Sequence, residues 1–323
     1  MIPFGGDSEM SADVAKMIEE AHQSGAISPG LAERGRWSLL VEAQNLDAFD
    51  TVCSFMDLGG FGHRLRTCDW DLDRAQKTGL LGDLAYFYKM GAEAIPSPTL
   101  EERVLVLNDG IARTVDLAHP IDMLAFLVYV RDLVNMHARI VYSLRQRDLS
   151  VRTVLAGGER IQYAPHSETA GTSPVVYNPF HFQMNTAFSR AYLIEKAGSA
   201  KKVNPDRIYV DAHWVEVVRA VFGDERVLRK SNSRSRWFFL RSKGCGGCLR
   251  FSIDGRPLLD LAYDSTIRLS LPEIGAPATV LQLSEMREHR ALDGDESSMP
   301  LKPDHVIQEY ARRKDRGWPK RPA

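Results

Sequence analysis

The chain has 323 residues, a formal net charge of −1 and four cysteines. The near-zero net charge excludes a global surface field that would point to nucleic acid or a membrane, and four cysteines are too few for a disulfide scaffold at this length. No apolar run approaches the roughly 20 residues that span a bilayer, and residues 1–10 lack the pattern of a signal peptide. These features predict a cytoplasmic protein with one large domain, or one domain with an appendage.

Residues 1–36 predict an arm that contains one helix. The short apolar strand that follows, residues 37–41, ends at Glu42, and a turn and a helix come next. A buried strand that ends in an acid is a frequent site architecture in α/β proteins, although Glu42 could equally mark the point where the strand leaves the core. Residues 57–100 predict irregular structure, rich in Gly and Asp, with one helix over 81–92.

The clearest local signal is the segment RVLVLNDGIARTVD at residues 103–116. Two apolar runs joined by Asn108-Asp109-Gly110 predict a hairpin. Asp109 either only forms the turn, as Asn, Asp and Gly commonly do, or is a carboxylate held at a rigid tip where it can bind a metal ion.

Five more elements follow the hairpin. A long amphipathic helix is predicted over 121–147 from the spacing of its apolar residues. A strand at 150–156, a helix at 186–197, a strand at 205–210 and a helix at 212–222 come after it.

The composition changes at residue 224. The tract 226–250 is basic and predicts either a phosphate-binding face or a solvated hairpin, and further strands are predicted up to residue 271. Cys245 and Cys248 have the spacing of a zinc knuckle or redox pair, but no second such pair exists, so a tight turn with two thiols is favoured. The predicted parts are therefore an arm (1–36), a main domain (37–223) and a C-terminal extension (224–323).

The order of these elements resembles the catalytic domain of class III nucleotidyl cyclases, and in particular the bacterial pyrimidine cyclases of Pycsar anti-phage defence. The resemblance is carried by residues 41–46 (VEAQNL), 108–110 (NDG), 152–159 (RTVLAGGE), 190–195 (RAYLIE) and 205–208 (PDRI). It implies an α+β fold with a ferredoxin-like βαββαβ core, an N-terminal arm and a C-terminal β-rich extension.

The resemblance also implies a reaction. Such enzymes convert a nucleoside triphosphate, here UTP or CTP, to a 3′,5′-cyclic mononucleotide and pyrophosphate with two Mg²⁺ or Mn²⁺ ions. By position, Glu42 and Asp109 would hold the metal ions.

The remaining site residues follow from the same resemblance. The backbone N–H groups of Asn45 and Leu46 would face the triphosphate. Arg152 and Arg190 would hold its phosphates. Arg113, on the second hairpin strand, would also hold them if it faces the site, but it could face either way.

Two departures from the family pattern stand out. The family's first motif is an apolar strand followed by Asp-Ile-Leu-Gly-Phe, and Glu42 takes the place of its Asp. The family's catalytic Asn and Arg, aligned on Ala191, become Ser189 and Leu193. Arg190 or Asn185 would have to substitute for them. Because the family forms its site between two subunits, the resemblance implies a symmetric homodimer.

Three functions remain open at this stage. The first is an active, metal-dependent nucleotidyl cyclase with a nucleoside triphosphate as its ligand and no membrane or nucleic acid partner. The second is a catalytically degenerate module of the same fold that binds a nucleotide or a protein. The third is a nucleic-acid-associated protein that uses the basic tract 226–250 and would show steep salt dependence of binding.

Overall fold

A computed structural model gives the structure of the chain for residues 48–95, 97, 99–117, 122–161, 181–223, 226–231 and 246–289. The predicted arm, the predicted strand before Glu42 and the charged tail lie outside these residues. The described residues between 49 and 289, apart from Ile161, belong to one compact unit, and a second unit comprises residues 1–48 and 161–180.

The described part of the chain forms strands and helices in alternation. In chain order they are β1 (Ala48–Gly59), α1 (Phe61–Thr67), α2 (Leu72–Lys77), α3 (Leu80–Gly91), β2 (Glu102–Leu107), β3 (Gly110–Asp116), α4 (Met123–Leu144), β4 (Ser150–Ile161), α5 (Thr186–Ala200), β5 (Ile208–Asp211), α6 (Ala212–Phe222), β6 (Val227–Ser231), β7 (Gly247–Ile253), β8 (Arg256–Leu271) and β9 (Ala276–Glu288). Short 3-10 turns, Arg145–Arg147 and Pro272–Ile274, follow α4 and β8. None of the described helices is long and apolar enough to span a membrane.

The strands form one nine-stranded sheet in the order β2-β3-β1-β4-β5-β9-β8-β7-β6. Its first four strands, with helices α1–α3 between β1 and β2 and α4 between β3 and β4, are a ferredoxin-like βαββαβ core. The predicted α+β fold with this core is therefore confirmed. Strands β6–β9 confirm that the C-terminal part is β-rich, and β9 joins it to the core by pairing with β5. The boundary at residue 223 stays a prediction.

The hairpin and the long helix form where the sequence predicts them. Strands β2 and β3 pair antiparallel around Asn108 and Asp109, and Asn108 has the positive φ of 45° that the turn requires. Helix α4 begins after Asp122, whose side chain accepts a hydrogen bond from the Leu124 N–H at 2.8 Å. Such an N-cap satisfies one of the donors at the start of the helix.

The region before the hairpin differs from the prediction. Residues 48–59 form strand β1, which lies between β3 and β4 in the sheet. Its residues 51–56 are all buried, because helices cover both faces of the sheet at this point. Three helices, two of them with 7 and 6 residues, occupy much of the stretch that the sequence predicts to be irregular. Helices this short leave too few residues for periodicity to reveal them.

Two cores lie on opposite faces of the sheet. Successive side chains of a strand point to opposite faces, so β1 contributes Val52 and Met56 to the core beneath α4 and α6. It contributes Cys53 and Phe55 to the core beneath α5. The side of the sheet on which a strand residue lies can therefore be read from the core to which its neighbours belong.

Strand β8 serves both cores because its register shifts. Leu259, Leu261 and Tyr263 belong to the core of α4 and α6, whereas Leu269 and Leu271 belong to the core of α5. All five have odd numbers and would share one face of a regular strand. Irregularities in the pairing with β9 on either side of Tyr263 insert an extra residue, and this bulge turns the second half of the strand over.

Helix α4 buries a histidine that makes stability depend on pH. His137 Nδ1 lies 2.8 Å from Thr153 Oγ1, and burial lowers its pKa from 6.5 to about 3. Below about pH 6.5, His137 therefore binds a proton in the unfolded chain, whereas in the folded chain it stays neutral down to about pH 3. This group stabilises the fold fully above pH 6.5, and its contribution falls as the pH drops toward 3.

We expect the free energy of unfolding to fall below pH 6.5 by up to about 1.4 kcal/mol per pH unit from this group alone. The variant His137→Gln is expected to be less stable at pH 7.5 but to have a shallower slope of stability against pH. Urea unfolding at pH 7.5, 6.5 and 5.5 measures both slopes. Equal slopes in the two proteins would show that another group controls the pH dependence.

Candidate active site

Two carboxylate-bearing residues meet where β1 ends. Asp57 lies opposite Gly110 in the antiparallel pairing of β1 with β3. The backbone N–H of Leu58 donates to the carbonyl oxygen of Asp109 at 2.8 Å. The end of β1 that carries Asp57 is thus hydrogen-bonded to the hairpin tip that carries Asp109. Asp57 and Asp109 are both half-buried.

The electrostatic surroundings of Asp57 show which groups converge on it. Its pKa is raised to about 8, first by burial and then by the negative charges of Glu195 and Asp109, while Arg152 acts in the opposite direction. The Asp57 side chain is also hydrogen-bonded to Glu195. Concentrated negative charge of this kind is costly without a compensating cation.

Arg152 is the cation of this group within the chain. It lies on β4, is buried, and donates from Nη1 to Glu195 Oε1 and to Ser199 Oγ, both at 2.6 Å. Its Nη2 donates to the carbonyl oxygen of Val203 at 3.0 Å. Its Nε is buried without an acceptor among the described residues. A buried N–H without a partner is costly, and an anion beside Arg152 would satisfy it.

The donor set suits magnesium or manganese bound together with a phosphate ligand. Carboxylate oxygens are the protein ligands that Mg²⁺ prefers, and it is commonly held by one or two carboxylates plus substrate phosphates and water. Asp57 and Asp109 supply two. No group of three or more His, Cys, Asp or Glu side chains in the described ranges forms an all-protein metal cage. The residues present therefore fit a metal ion that arrives with its substrate.

The turn after Asp57 brings the backbone close to its neighbours. Gly60 has a φ of 89°, which residues with a Cβ rarely adopt. A Cβ on Gly59 would lie 2.4 Å from Ser150 Oγ. Gly60 is thus required for β1 to turn directly into α1 after Asp57, and Gly59 lets the strand pass close to Ser150.

Sequence reasoning missed Asp57, although a signal was present. Residues 55–61 read FMDLGGF, an apolar strand followed by Asp-Leu and then Gly-Phe, which is close to the family's first motif. Glu42, Asn45 and Leu46, to which the sequence assigned this motif, lie outside the described residues. Among the predicted site residues, the structure brings Asp109 and Arg152 together around Asp57.

Arg113 lies elsewhere. It lies on β3, on the face toward α4, and is fully buried, with Nε and Nη2 donating to the Glu102 carboxylate at 2.8 and 2.7 Å. It also donates to the carbonyl oxygens of Gly91 and Glu93. These bonds commit the guanidinium group to the fold, so the structure does not bring Arg113 to the carboxylate pair.

The three predicted catalytic residues lie at the start of α5. Asn185 is the buried N-cap: its side chain accepts from the Phe188 N–H at 2.9 Å and donates to Thr114 Oγ1 at 3.1 Å. Ser189 Oγ donates to the Asn185 carbonyl oxygen at 3.2 Å, and Arg190 forms an ion pair with buried Asp211.

These residues and the carboxylates are separated along α5. Glu195, which contacts Asp57, follows Asn185 by ten residues, or ~15 Å of helix. Arg190 is half that distance away. Within one chain, the start of α5 and the carboxylate pair therefore form two separate groups.

Solved structures that match the chain include guanylyl cyclase domains. One is a dimeric guanylyl cyclase domain of the RhoGC fusion protein from the aquatic fungus Blastocladiella emersonii, 11% identical, covering 73% of this chain and 97% of that one with a TM-score of 0.33. Another is the guanylate cyclase domain of RhGC from Catenaria anguillulae in complex with GTP, 10% identical, with 73% and 97% coverage and a TM-score of 0.34.

A third match is the catalytic core of a rhodopsin-guanylyl cyclase with converted specificity in complex with ATPαS, 10% identical, with 74% and 99% coverage and a TM-score of 0.33. Likeness at these values supports no conclusion about function. No protein-family model and no curated protein matches the chain.

Proposed function

We propose that the protein is a nucleotidyl cyclase whose divalent metal ions are held by Asp57 and Asp109. The observation that carries this proposal is the meeting of these two carboxylates, one at the end of β1 and one at the tip of the adjacent hairpin, beside buried Arg152. In this proposal Asp57 takes the role that the sequence assigned to Glu42. The backbone at Gly59 and Gly60 takes the role assigned to Asn45 and Leu46.

The chain's own residues would act by binding and orientation. When bound, two Mg²⁺ or Mn²⁺ ions would activate the 3′-hydroxyl and neutralise the charge on the leaving pyrophosphate. Arg152 would donate its unpartnered Nε–H to a phosphate oxygen. Its Nη1, which now donates to Glu195, would also turn to a phosphate oxygen. Guanidinium groups bind phosphate with paired N–H donors. Asp57 and Asp109 would hold the triphosphate end of the substrate through the metal ions.

A symmetric homodimer would complete the site. Within one chain, the start of α5 with Asn185, Ser189 and Arg190 is a group separate from Asp57. Two chains packed head to tail would place these residues over the partner's carboxylates. The resemblance favours UTP or CTP as substrate and extends the proposal to anti-phage signalling in the cytoplasm.

The proposal is tested by incubating the purified protein with ATP, GTP, CTP and UTP separately, each with MgCl₂ or MnCl₂. We expect one nucleotide to give a cyclic mononucleotide by chromatography with stoichiometric pyrophosphate. Product that persists undiminished in Asp57→Asn would come from a contaminating enzyme and would remove the support for the proposal.

A degenerate nucleotide-binding module is the second candidate. Ser189 and Leu193 replace the family's catalytic pair, and Arg152 is held in an ion pair with Glu195. This candidate predicts that at least one of the four triphosphates binds and that none of them is turned over. Calorimetric binding without product would support it over the cyclase.

The basic tract offers less support for a nucleic acid partner. Much of 226–250 lies outside the described residues, and Arg250 pairs with Asp260 through bonds of 2.8 and 2.6 Å. Cys248 lies half-buried on β7, and Cys245 lies outside the described residues, so the character of this pair stays a prediction.

Arg152→Lys is expected to raise KM for the nucleoside triphosphate about tenfold with a smaller change in kcat. The reason is that lysine keeps the charge but loses the paired donors, and a lost charge-assisted hydrogen bond costs about 1.5 kcal/mol. Steady-state kinetics measures both constants. Arg268→Lys, at an exposed position of β8, is the control. An unchanged KM in Arg152→Lys would exclude Arg152 from the phosphate site.

A further inference from the structure

A polar cavity of about 610 Å³ lies beside the candidate active site. It begins at Gly60, three residues after Asp57, and is walled by α1, by the start of α3 and by the 3-10 turn before β4. His63 and Arg64 from α1 line it, and so does Arg147 from the turn. None of these side chains has a role in the proposed reaction.

One buried carboxylate holds both arginines in place. Asp83 on α3 is 3% exposed, and its Oδ2 lies 3.4 Å from Arg64 Nη1. Its Oδ1 forms an ion pair with Arg147 Nη1. Arg64 Nη1 also donates to the carbonyl oxygen of Arg147 at 2.9 Å. Asp83 therefore fixes two guanidinium groups at the wall of the same cavity.

The arginines keep most of their donors for another partner. A guanidinium group carries five N–H donors, and the bonds described above use only Nη1 of each side chain. Within the described ranges, Nε and Nη2 of Arg64 and Arg147 have no acceptor in the protein. The Arg64 side chain is 27% exposed and the Arg147 side chain is 53% exposed. The two arginines thus offer unused N–H donors at the cavity wall.

The remaining wall of the cavity carries further polar side chains. The hydroxyl groups of Thr67 and Thr78 line the cavity, each donating to a backbone carbonyl of its own helix. Their oxygens and the Asp148 carboxylate are the acceptors of this wall, and His63 adds an imidazole ring. The volume lies within the range of small-ligand pockets.

From this geometry we propose that the cavity is a binding site for a small polyphosphate anion, separate from the carboxylate pair. Two fixed guanidinium groups with unused N–H donors are the arrangement that binds phosphate oxygens in pairs. The anion can come from inorganic pyrophosphate or from the phosphates of a nucleotide. The proposal does not depend on the cyclase reaction, although that reaction would release pyrophosphate next to this cavity.

Isothermal titration calorimetry of the full chain with sodium pyrophosphate in EDTA tests the proposal, because EDTA removes metal-dependent binding at Asp57 and Asp109. We expect Arg147→Gln to weaken pyrophosphate binding at least about tenfold, since a charge-assisted hydrogen bond is lost. Arg145→Gln, in the same 3-10 turn but outside the cavity wall, should bind as the unaltered protein does. Asp57→Asn should also bind normally.

Absence of pyrophosphate binding by the unaltered protein in EDTA would overturn the proposal, and so would equal affinities of Arg147→Gln and Arg145→Gln. If Arg147→Gln fails to fold by circular dichroism, Arg64→Gln takes its place with the same expectation. Titration with UTP separates the two sources, because a nucleotide site binds UTP more tightly than pyrophosphate and a pyrophosphate site does not. Loss of cyclase turnover with retained pyrophosphate binding would count against the proposed function alone.

Discussion

Replacing Asp109 with Asn is expected to reduce the rate of cyclic nucleotide formation by more than about 100-fold. Loss of a residue that merely supports a metal ligand typically costs 10–100-fold, and loss of the ligand charge itself should cost more. The hairpin should persist, because the contact with β1 is made by the backbone carbonyl oxygen of Asp109 and not by its side chain. Initial rates of product formation with Mn²⁺ and the preferred triphosphate measure the effect.

Asp254→Asn is a matched control for Asp109→Asn. Asp254 and Gly255 form the tip of another hairpin of the same sheet, between β7 and β8, where Asp254 is exposed. Its replacement should leave the rate within about twofold, as surface substitutions usually have small effects. Equal rates in the two variants would show that Asp109 serves only its turn, and the metal-site proposal would then fail.

Arg113→Met is expected to destabilise the protein by about 3–5 kcal/mol. It would leave the Glu102 carboxylate, whose side chain is 7% exposed, buried without its cation, and breaking a buried pair from one side has a cost of this size. The carbonyl oxygens of Gly91 and Glu93 would lose their donor as well. Urea unfolding monitored by circular dichroism gives the free energy of unfolding directly.

The double variant Arg113→Met with Glu102→Gln separates the charge effect from the packing effect. It removes the unpaired charge, so it should recover part of the lost stability. The predicted role of Arg113 in substrate binding is tested by the same protein. Since Arg113 lies on the face toward α4, KM for the nucleoside triphosphate should not change. A several-fold rise in KM at unchanged stability would return Arg113 to the substrate site.

Local signals explain which elements the sequence predicts well. The Asn108-Asp109-Gly110 turn needs only a positive φ at Asn108 and short-range pairing, and α4 needs only the helical spacing of its apolar residues. Both are determined within one stretch of chain. The α+β class and the βαββαβ core were implied by the family resemblance, which rests on the order of such stretches.

The first carboxylate of the proposed metal site could not be chosen so easily. Glycines at 59 and 60 follow Asp57 and make its surroundings look like a loop, whereas Glu42 closes a short apolar run. What distinguishes Asp57 is its position opposite Gly110, and the pairing of β1 with β3 joins residues more than 50 positions apart. Pairing at that range depends on the whole sheet, so it cannot be read from one stretch.

The partners of the buried arginine side chains were equally hard to predict from the sequence. Nothing local shows that Arg113 would be enclosed with Glu102 while Arg152, also on a strand, would contact Glu195. Strand alternation puts every second residue on one face, but the sequence does not say which helix covers that face. Arg113 faces α4 and Arg152 contacts α5, and this difference determines the partners of the two arginines.

Because of the bulge in β8, the two hydrophobic cores should unfold as one cooperative unit. A single continuous strand supplies Leu261 to one layer and Leu269 to the other, so neither layer can come apart while the other keeps its full strand. Melting should therefore be cooperative across the sheet, with no partly molten species that retains half of it. The arrangement of Asp57 and Asp109 would then be lost together with the C-terminal strands, which gives the β-rich extension a direct part in keeping these carboxylates in place.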